Sequence, residues 1–215
     1  MTMKKELRTL VVRDLEVRAQ EDGDGFVARG HATTWDDPYE VWDFEEQVDR
    51  GAVPDNIQEL DVFAFWSHDS SIPLARTTNG TLQLTKDDVG LAVEFPLPAS
   101  RAAEADAIRT GLVDRMSMGF YVTEQQWLER EGKPDLRTIL AMTLLEVSPV
   151  ALPANPNTDL SEAEQQHLVE ARAACLGPKC QRRPRDVREE EAATEDDLPV
   201  NRARQNRLAI AERAL

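Results

Sequence analysis

The chain has 215 residues and a formal net charge of −15 at pH 7, with 41% hydrophobic and 30% charged residues. That length fits one domain with an appendage or two small domains. The acid excess argues against a nucleic-acid grip, which needs clustered Lys and Arg; the absence of any run of about 18 apolar residues excludes a membrane helix.

The first seven residues, Met1 to Leu7, hold no apolar stretch of signal-peptide length. Two cysteines, Cys175 and Cys180, cannot build a disulfide framework, so a reducing compartment is expected. The three histidines, His31, His68 and His167, make no metal-binding spacing with one another or with the cysteines. No metal or cofactor is therefore expected.

All twelve aromatic residues lie between Phe26 and Trp127, which marks the folded body. In chain order, Leu10 to Arg18 alternates apolar and polar positions. Gly23-Asp24-Gly25 then makes a turn into Phe26–Ala32, and the pair reads as a hairpin. Short strands are expected at Val62–Trp66, Thr81–Leu84 and Leu91–Phe95, the last two joined by a turn at Asp87–Gly90. Arg101–Arg109 is rich in helix formers, with Ser100 as N-cap and Gly111 as stop. Met116–Val122 and Ile139–Val147 follow as strands. The proline-rich stretch Pro149–Pro156 closes the body. Six or more short strands with one or two helices predict a β-rich α+β fold, a closed or nearly closed antiparallel β-barrel with packed helices.

The body is expected to end at about Thr158, giving a domain 1–158 and a charged tail 159–215. The tail holds ten basic and twelve acidic residues, a net of −2, which leaves −13 for the body. A helix at about 161–175 is expected from the Ser161/Glu164 capping-box spacing and the stripe Leu168, Ala171, Cys175. Gly177-Pro178 stops it. Residues 181–197 carry too few apolar groups to offset their ordering entropy and are expected to be disordered. Asn201–Leu215 gives a weak amphipathic helix.

Three polar residues stand out in apolar strands. In Met116–Val122, alternation puts Met116, Met118, Phe120 and Val122 on a core face and Ser117, Gly119 and Tyr121 on the other. A small hydroxyl there lies beside a residue without a side chain, where a substrate backbone can approach. His68 falls at the end of Val62–Trp66, at a site where imidazole can accept a proton near pH 7. Glu146 is the one charge in Leu140–Val150, and a buried carboxylate there needs a partner. Taken singly, each also fits a structural role: a serine on a wet face, a hydrogen-bonded histidine, an edge-strand glutamate. Together they hold the groups of a nucleophile, its base and an orienting acid, in the chain order His68, Ser117, Glu146. Arg115-Met116-Ser117-Met118-Gly119 lacks the glycine of a nucleophile elbow, which argues against an α/β-hydrolase.

The same residues carry a family resemblance. Phe65-Trp66-Ser67-His68, Pro73-Leu74-Ala75-Arg76 and Gly80–Leu84 form a first block. Asp88–Leu91 and Leu97–Ser100 follow, then Gly111-Leu112-Val113-Asp114-Arg115-Met116-Ser117-Met118-Gly119-Phe120. Leu145–Val150 with Pro153–Pro156 completes the pattern, and Asp43–Glu46 with Arg50–Val53 precedes it. From about Gly30 to Thr158 this resembles the prohead (capsid maturation) serine proteases of tailed phages, the HK97-like type. It departs modestly, with Ala75 where that family often has glycine and Met118 where it often has a smaller or β-branched residue.

The resemblance implies the herpesvirus assemblin fold, a β-barrel ringed by helices, and serine endopeptidase activity. It implies Ser117 as nucleophile and His68 as general base. The third member is a second histidine in assemblins and an acid in the phage relatives; the one later histidine here, His167, lies in the tail, so Glu146 is the preferred third member. Met118, Gly119, Arg76 and Arg115 are the candidate oxyanion or substrate contacts. The implied substrates and partners are the scaffold protein, the scaffold-like segment of the major capsid protein and the protease itself. The implied location is the host cytoplasm, inside the assembling procapsid. The assemblin likeness also implies a homodimer. No nucleic-acid or membrane partner is expected. The alternative class is a catalytically inactive β-barrel that serves as an assembly module for the capsid protein.

Overall fold

The computed structural model describes residues 5–9, 14–20, 25–151 and 162–176. The expected disordered stretch at 181–197, the helix at 201–215, Cys180 and most of the proline-rich closing segment lie outside the described residues.

The chain runs β1 (Lys5–Thr9), β2 (Glu16–Ala19), β3 (Gly25–Thr34), β4 (Tyr39–Val41), β5 (Phe44–Val48), β6 (Phe63–Trp66), β7 (Asp69–Arg76), β8 (Gln83–Lys86) and β9 (Gly90–Pro98). Then come α1 (Ala102–Arg109), β10 (Arg115–Leu128), β11 (Leu136–Val150) and α2 (Glu162–Leu176).

Two sheets result. The smaller is four-stranded, in the order β2-β3-β9-β8. Its β2–β3 ladder is the hairpin expected from the early alternation, with Val17 opposite Ala28. Asp87 shapes the β8–β9 turn, its carboxylate accepting the amides of Val89 and Gly90 at 2.8 Å each. The larger sheet is seven-stranded and is organised on β11. One edge of β11 pairs antiparallel with β10 along almost its whole length. The other edge is shared: β5 pairs parallel with Leu136–Ile139, and β6 pairs parallel with Glu146 and Val147. β1 pairs outside β10, β4 outside β5, and β7 outside β6.

The barrel expectation is therefore wrong. The architecture is mixed α/β with open, uncurled sheets. Closure requires the outer strands to pair with one another. In the larger sheet β1 ends one side and β4 and β7 end the other, with no ladder among the described residues joining them. The smaller sheet likewise ends at β2 and β8. Nor is the larger sheet wholly antiparallel, because both partners on the second edge of β11 run parallel to it.

One apolar core includes Ala28, Val93, Phe95 and Leu97 of the smaller sheet, Met116, Met118, Phe120 and Val147 of the larger, and Ile108 of α1. The α1 helix starts later than its sequence signal. Ala99–Arg101 forms a single tight 3-10 turn, and no side chain caps the helix. A second, small core joins Val41, Phe44 and Trp127 to Leu168 of α2. Arg172 of α2 pairs with Asp43 at 3.3 Å and with Asp135, and lies over the Trp127 ring.

Beside that core is a buried ion network. Arg8 bonds Glu46 at 2.7 Å and Glu6 at 2.6 Å, and Arg137 bonds Glu6 and Glu46 at 2.7 Å each. Tyr39 donates its hydroxyl to Glu46 at 2.7 Å. Burial alone pushes the Glu6 carboxyl up, but Arg137 and Arg8 bring it down to about 2. Two arginines against two carboxylates leave the cluster neutral, which a low-dielectric site requires.

Candidate active site

The site sits where β6, β10 and β11 come together. Trp66 pairs with Asp69, so Ser67 and His68 alone form the loop between β6 and β7. Both have positive φ, 51° and 63°, the requirement of a type I′ hairpin turn. Asn-Gly is the usual choice there; Ser and His in this conformation cost on the order of 1 kcal/mol each. Two hydrogen bonds hold the turn. Ser67 donates its amide to the Pro149 carbonyl at 3.1 Å, and the His68 amide donates to the Ser148 hydroxyl at 3.2 Å. Asp69 already begins β7.

Glu146 is 1% exposed on a central strand, so the edge-strand reading fails. Its Oε1 lies 2.8 Å from His68 Nδ1 and 3.1 Å from the Lys5 ammonium. Its Oε2 accepts the Ser148 hydroxyl at 2.7 Å. Burial works to raise its pKa; the bonds from His68 and Ser148 and the charge of Lys5 outweigh that, so the carboxyl stays below its ordinary range. An ionised carboxylate only accepts. Nδ1 of His68 therefore carries the proton, and Nε2 is left as the basic nitrogen. That Nε2 is buried and has no hydrogen-bond partner among the described residues.

Ser117 lies opposite Ser148, and Gly119 opposite Glu146, in the β10–β11 ladder. Directly paired residues share a face. The hydroxyl of Ser117 is thus one strand away from the hydroxyl that holds both His68 and Glu146. Ser117 is fully buried, not on a wet face. It is not bonded to His68: its Oγ donates to the Arg8 carbonyl of β1 at 3.1 Å. Gly119 has a clear steric reason. A Cβ there would overlap the Glu146 carboxylate, standing 2.9 Å from its carboxyl carbon and 2.5 Å from Lys5 Cε.

The other candidates scatter. Met118 is core, on the opposite face from Ser117. Arg76 is bound to Asp61 through two bonds of 2.6 and 2.5 Å and stacks over the Phe63 ring. Arg115 starts β10 and lies 3.5 Å from Asp114. Neither arginine is brought to His68 by a bond in the structure. Two residues missed from the sequence, Ser148 and Lys5, touch the carboxylate directly. Ser148 had a usable signal: it stands two positions after Glu146 and so shares its face. Lys5 had none, because no strand was expected before Leu10.

Among the described residues no cluster of His, Cys, Asp and Glu suits a metal ion, and no helix is long and apolar enough to cross a membrane. His31, clamped between Asp14 at 2.5 Å and Asp87 at 2.9 Å, is a separate charged device in the smaller sheet.

A hydroxyl, an imidazole and an ionised carboxylate gathered on one sheet region are the donor set of serine-type acyl transfer. A family model described as "Caudovirus prohead serine protease" matches residues 13–171. The chain belongs to this family and is a serine protease of phage maturation. Comparison with curated proteins and with solved structures finds no match.

Proposed function

We propose that Ser117 is the nucleophile of this protease, His68 its general base and Glu146 the group that orients and charges the pair. The observation that carries this is the polarised dyad: Glu146 bonds Nδ1 at 2.8 Å and leaves Nε2 buried with no partner among the described residues. A base held in one tautomer, with its second nitrogen free of competing donors, is ready for a proton.

In the reaction Ser117 Oγ attacks the scissile carbonyl carbon as its proton passes to His68 Nε2. Glu146 stabilises the imidazolium that forms, while Ser148 keeps the carboxylate in place. The imidazolium then protonates the leaving amine as the C–N bond breaks, giving an acyl-enzyme and a free amino terminus. Water, deprotonated by Nε2, attacks the ester and releases the acid and Ser117. Met118 and Gly119 send their backbone amides to opposite edges of β10, so one of the two is the candidate donor to the oxyanion. Arg76, held by Asp61, is better placed for structure than for this role.

The substrates are the scaffold protein or the scaffold segment of the major capsid protein, and the chain itself, within the assembling procapsid. Support comes from the family alone. Residues after about 158 serve packaging or self-cleavage, with α2 held on the body through Leu168 and Arg172. The test is co-expression with the capsid and scaffold proteins of the same phage. Wild type yields trimmed products, and Ser117→Ala yields full-length ones. Trimming that survives Ser117→Ala overturns the assignment.

A further inference from the structure

Three observations converge on β1. It pairs antiparallel with β10 across the segment that carries Ser117, with Thr9 opposite Ser117 and Leu7 opposite Gly119. Its Arg8 carbonyl holds the Ser117 hydroxyl at 3.1 Å. Its Lys5 ammonium sits 3.1 Å from the same Glu146 oxygen that His68 uses. A peptide carbonyl within hydrogen-bond reach of the nucleophile is where an extended substrate would present its own backbone. β1 thus fills that position, and the hydroxyl's bond goes to β1 while Nε2 has no partner among the described residues.

We infer that β1 is a self-docked strand: residues Lys5–Thr9 occupy the edge of β10 at which an extended peptide substrate pairs, and Ser117 meets His68 when β1 leaves. This rests on Ser117 being the nucleophile. An uncovered strand edge is a template for peptide addition through its free backbone groups. The matched family stretch begins at residue 13, so β1 lies outside it.

The buried ion network bonds β1 to the sheet through Arg8–Glu46 and Arg137–Glu6, at 2.7 Å each, yet it divides into two neutral halves. Arg8 and Glu6 are bonded to each other at 2.6 Å, and Arg137 and Glu46 to each other at 2.7 Å. When β1 leaves it takes one arginine and one carboxylate, and the sheet keeps one of each. Neither side is left with an unpaired charge, the condition that makes breaking a buried ion pair so unfavourable. Lys5 leaves with the strand, and Glu146 is then left to His68 and Ser148.

Three measurements on the full chain test this. Leu7→Pro removes a strand amide and fixes φ, weakening β1 pairing. Its Ser117 should react with a fluorophosphonate at least about tenfold faster than wild type, as the competent fraction rises. Lys5→Cys with Tyr121→Cys places thiols at directly paired positions. Oxidation should slow labelling and reduction restore it. In wild type, hydrogen exchange should show β1 amides opening at least about 100-fold more readily than those of β11. Equal labelling of oxidised and reduced protein, or β1 protection equal to that of β11, overturns the proposal. Absence of labelling in every form refutes Ser117 as nucleophile, while hydrogen exchange still decides whether β1 undocks.

Discussion

Ser148→Ala probes the support beneath the proposed dyad. The hydroxyl is fully buried, donates to Glu146 Oε2 at 2.7 Å and accepts the His68 amide at 3.2 Å. Its removal leaves one carboxylate oxygen and one strained backbone amide without these partners. A hydrogen bond to a charged group contributes about 1.5–3 kcal/mol, and an ordinary one about 1 kcal/mol. The variant should lose about 2–4 kcal/mol of stability in a denaturant titration, the upper figure applying when no water enters. Glu146 also loses one of the contacts that lower its pKa, so the acid limb of the labelling-rate profile should move to higher pH. The rate itself should fall about 10- to 100-fold, about 1.4–2.7 kcal/mol in the barrier. Ser148→Thr keeps the hydroxyl and should recover part of the rate. Unchanged stability, rate and pH profile in Ser148→Ala would refute the reasoning.

Three further outcomes follow from the same geometry. Gly119→Ala must push the Glu146 carboxylate off His68 and should cost about 1–3 kcal/mol of stability, with a fall in labelling rate larger than that of Ser148→Ala. Arg137→Met leaves Glu6 and Glu46 sharing Arg8 alone, and should destabilise by about 3–5 kcal/mol in the same titration. His31 is raised to about 9, first by its bond to Asp14 and also by Asp87, against burial. A raised folded-state pKa stabilises fully below the unfolded value near 6.5 and loses that contribution as pH rises through about 9. The free energy of unfolding should therefore fall across that interval, by at most about 3 kcal/mol, and His31→Gln should remove the slope.

The sequence made the strands of β10 and β11 legible, because Met116, Met118 and Phe120 alternate with Ser117 and Gly119 over a long stretch. It also made the early hairpin legible through its glycine turn. Pairing was not legible. Alternation reports which face a residue takes, not which strand lies beside it, so an open sheet built on β11 reads like a barrel. The β5 strand has charges at Glu45 and Glu46, and a carboxylate as buried as Glu46 hides its strand from any apolar pattern. Ser67-His68 lacks the glycine that announces a type I′ turn; its conformation comes from tertiary bonds to Pro149 and Ser148. Glu146 was visible as an oddity in an apolar run. That it would meet His68 and Lys5, from two other stretches of chain, was set by strand register.

The most direct test of the central claim is covalent. The full chain is treated with a fluorophosphonate, digested, and mapped by mass spectrometry. One adduct on the peptide carrying Ser117, lost in His68→Ala and in Ser117→Ala, is the predicted result. An adduct on another residue, or labelling of Ser117 that persists at the wild-type rate in His68→Ala, would contradict it.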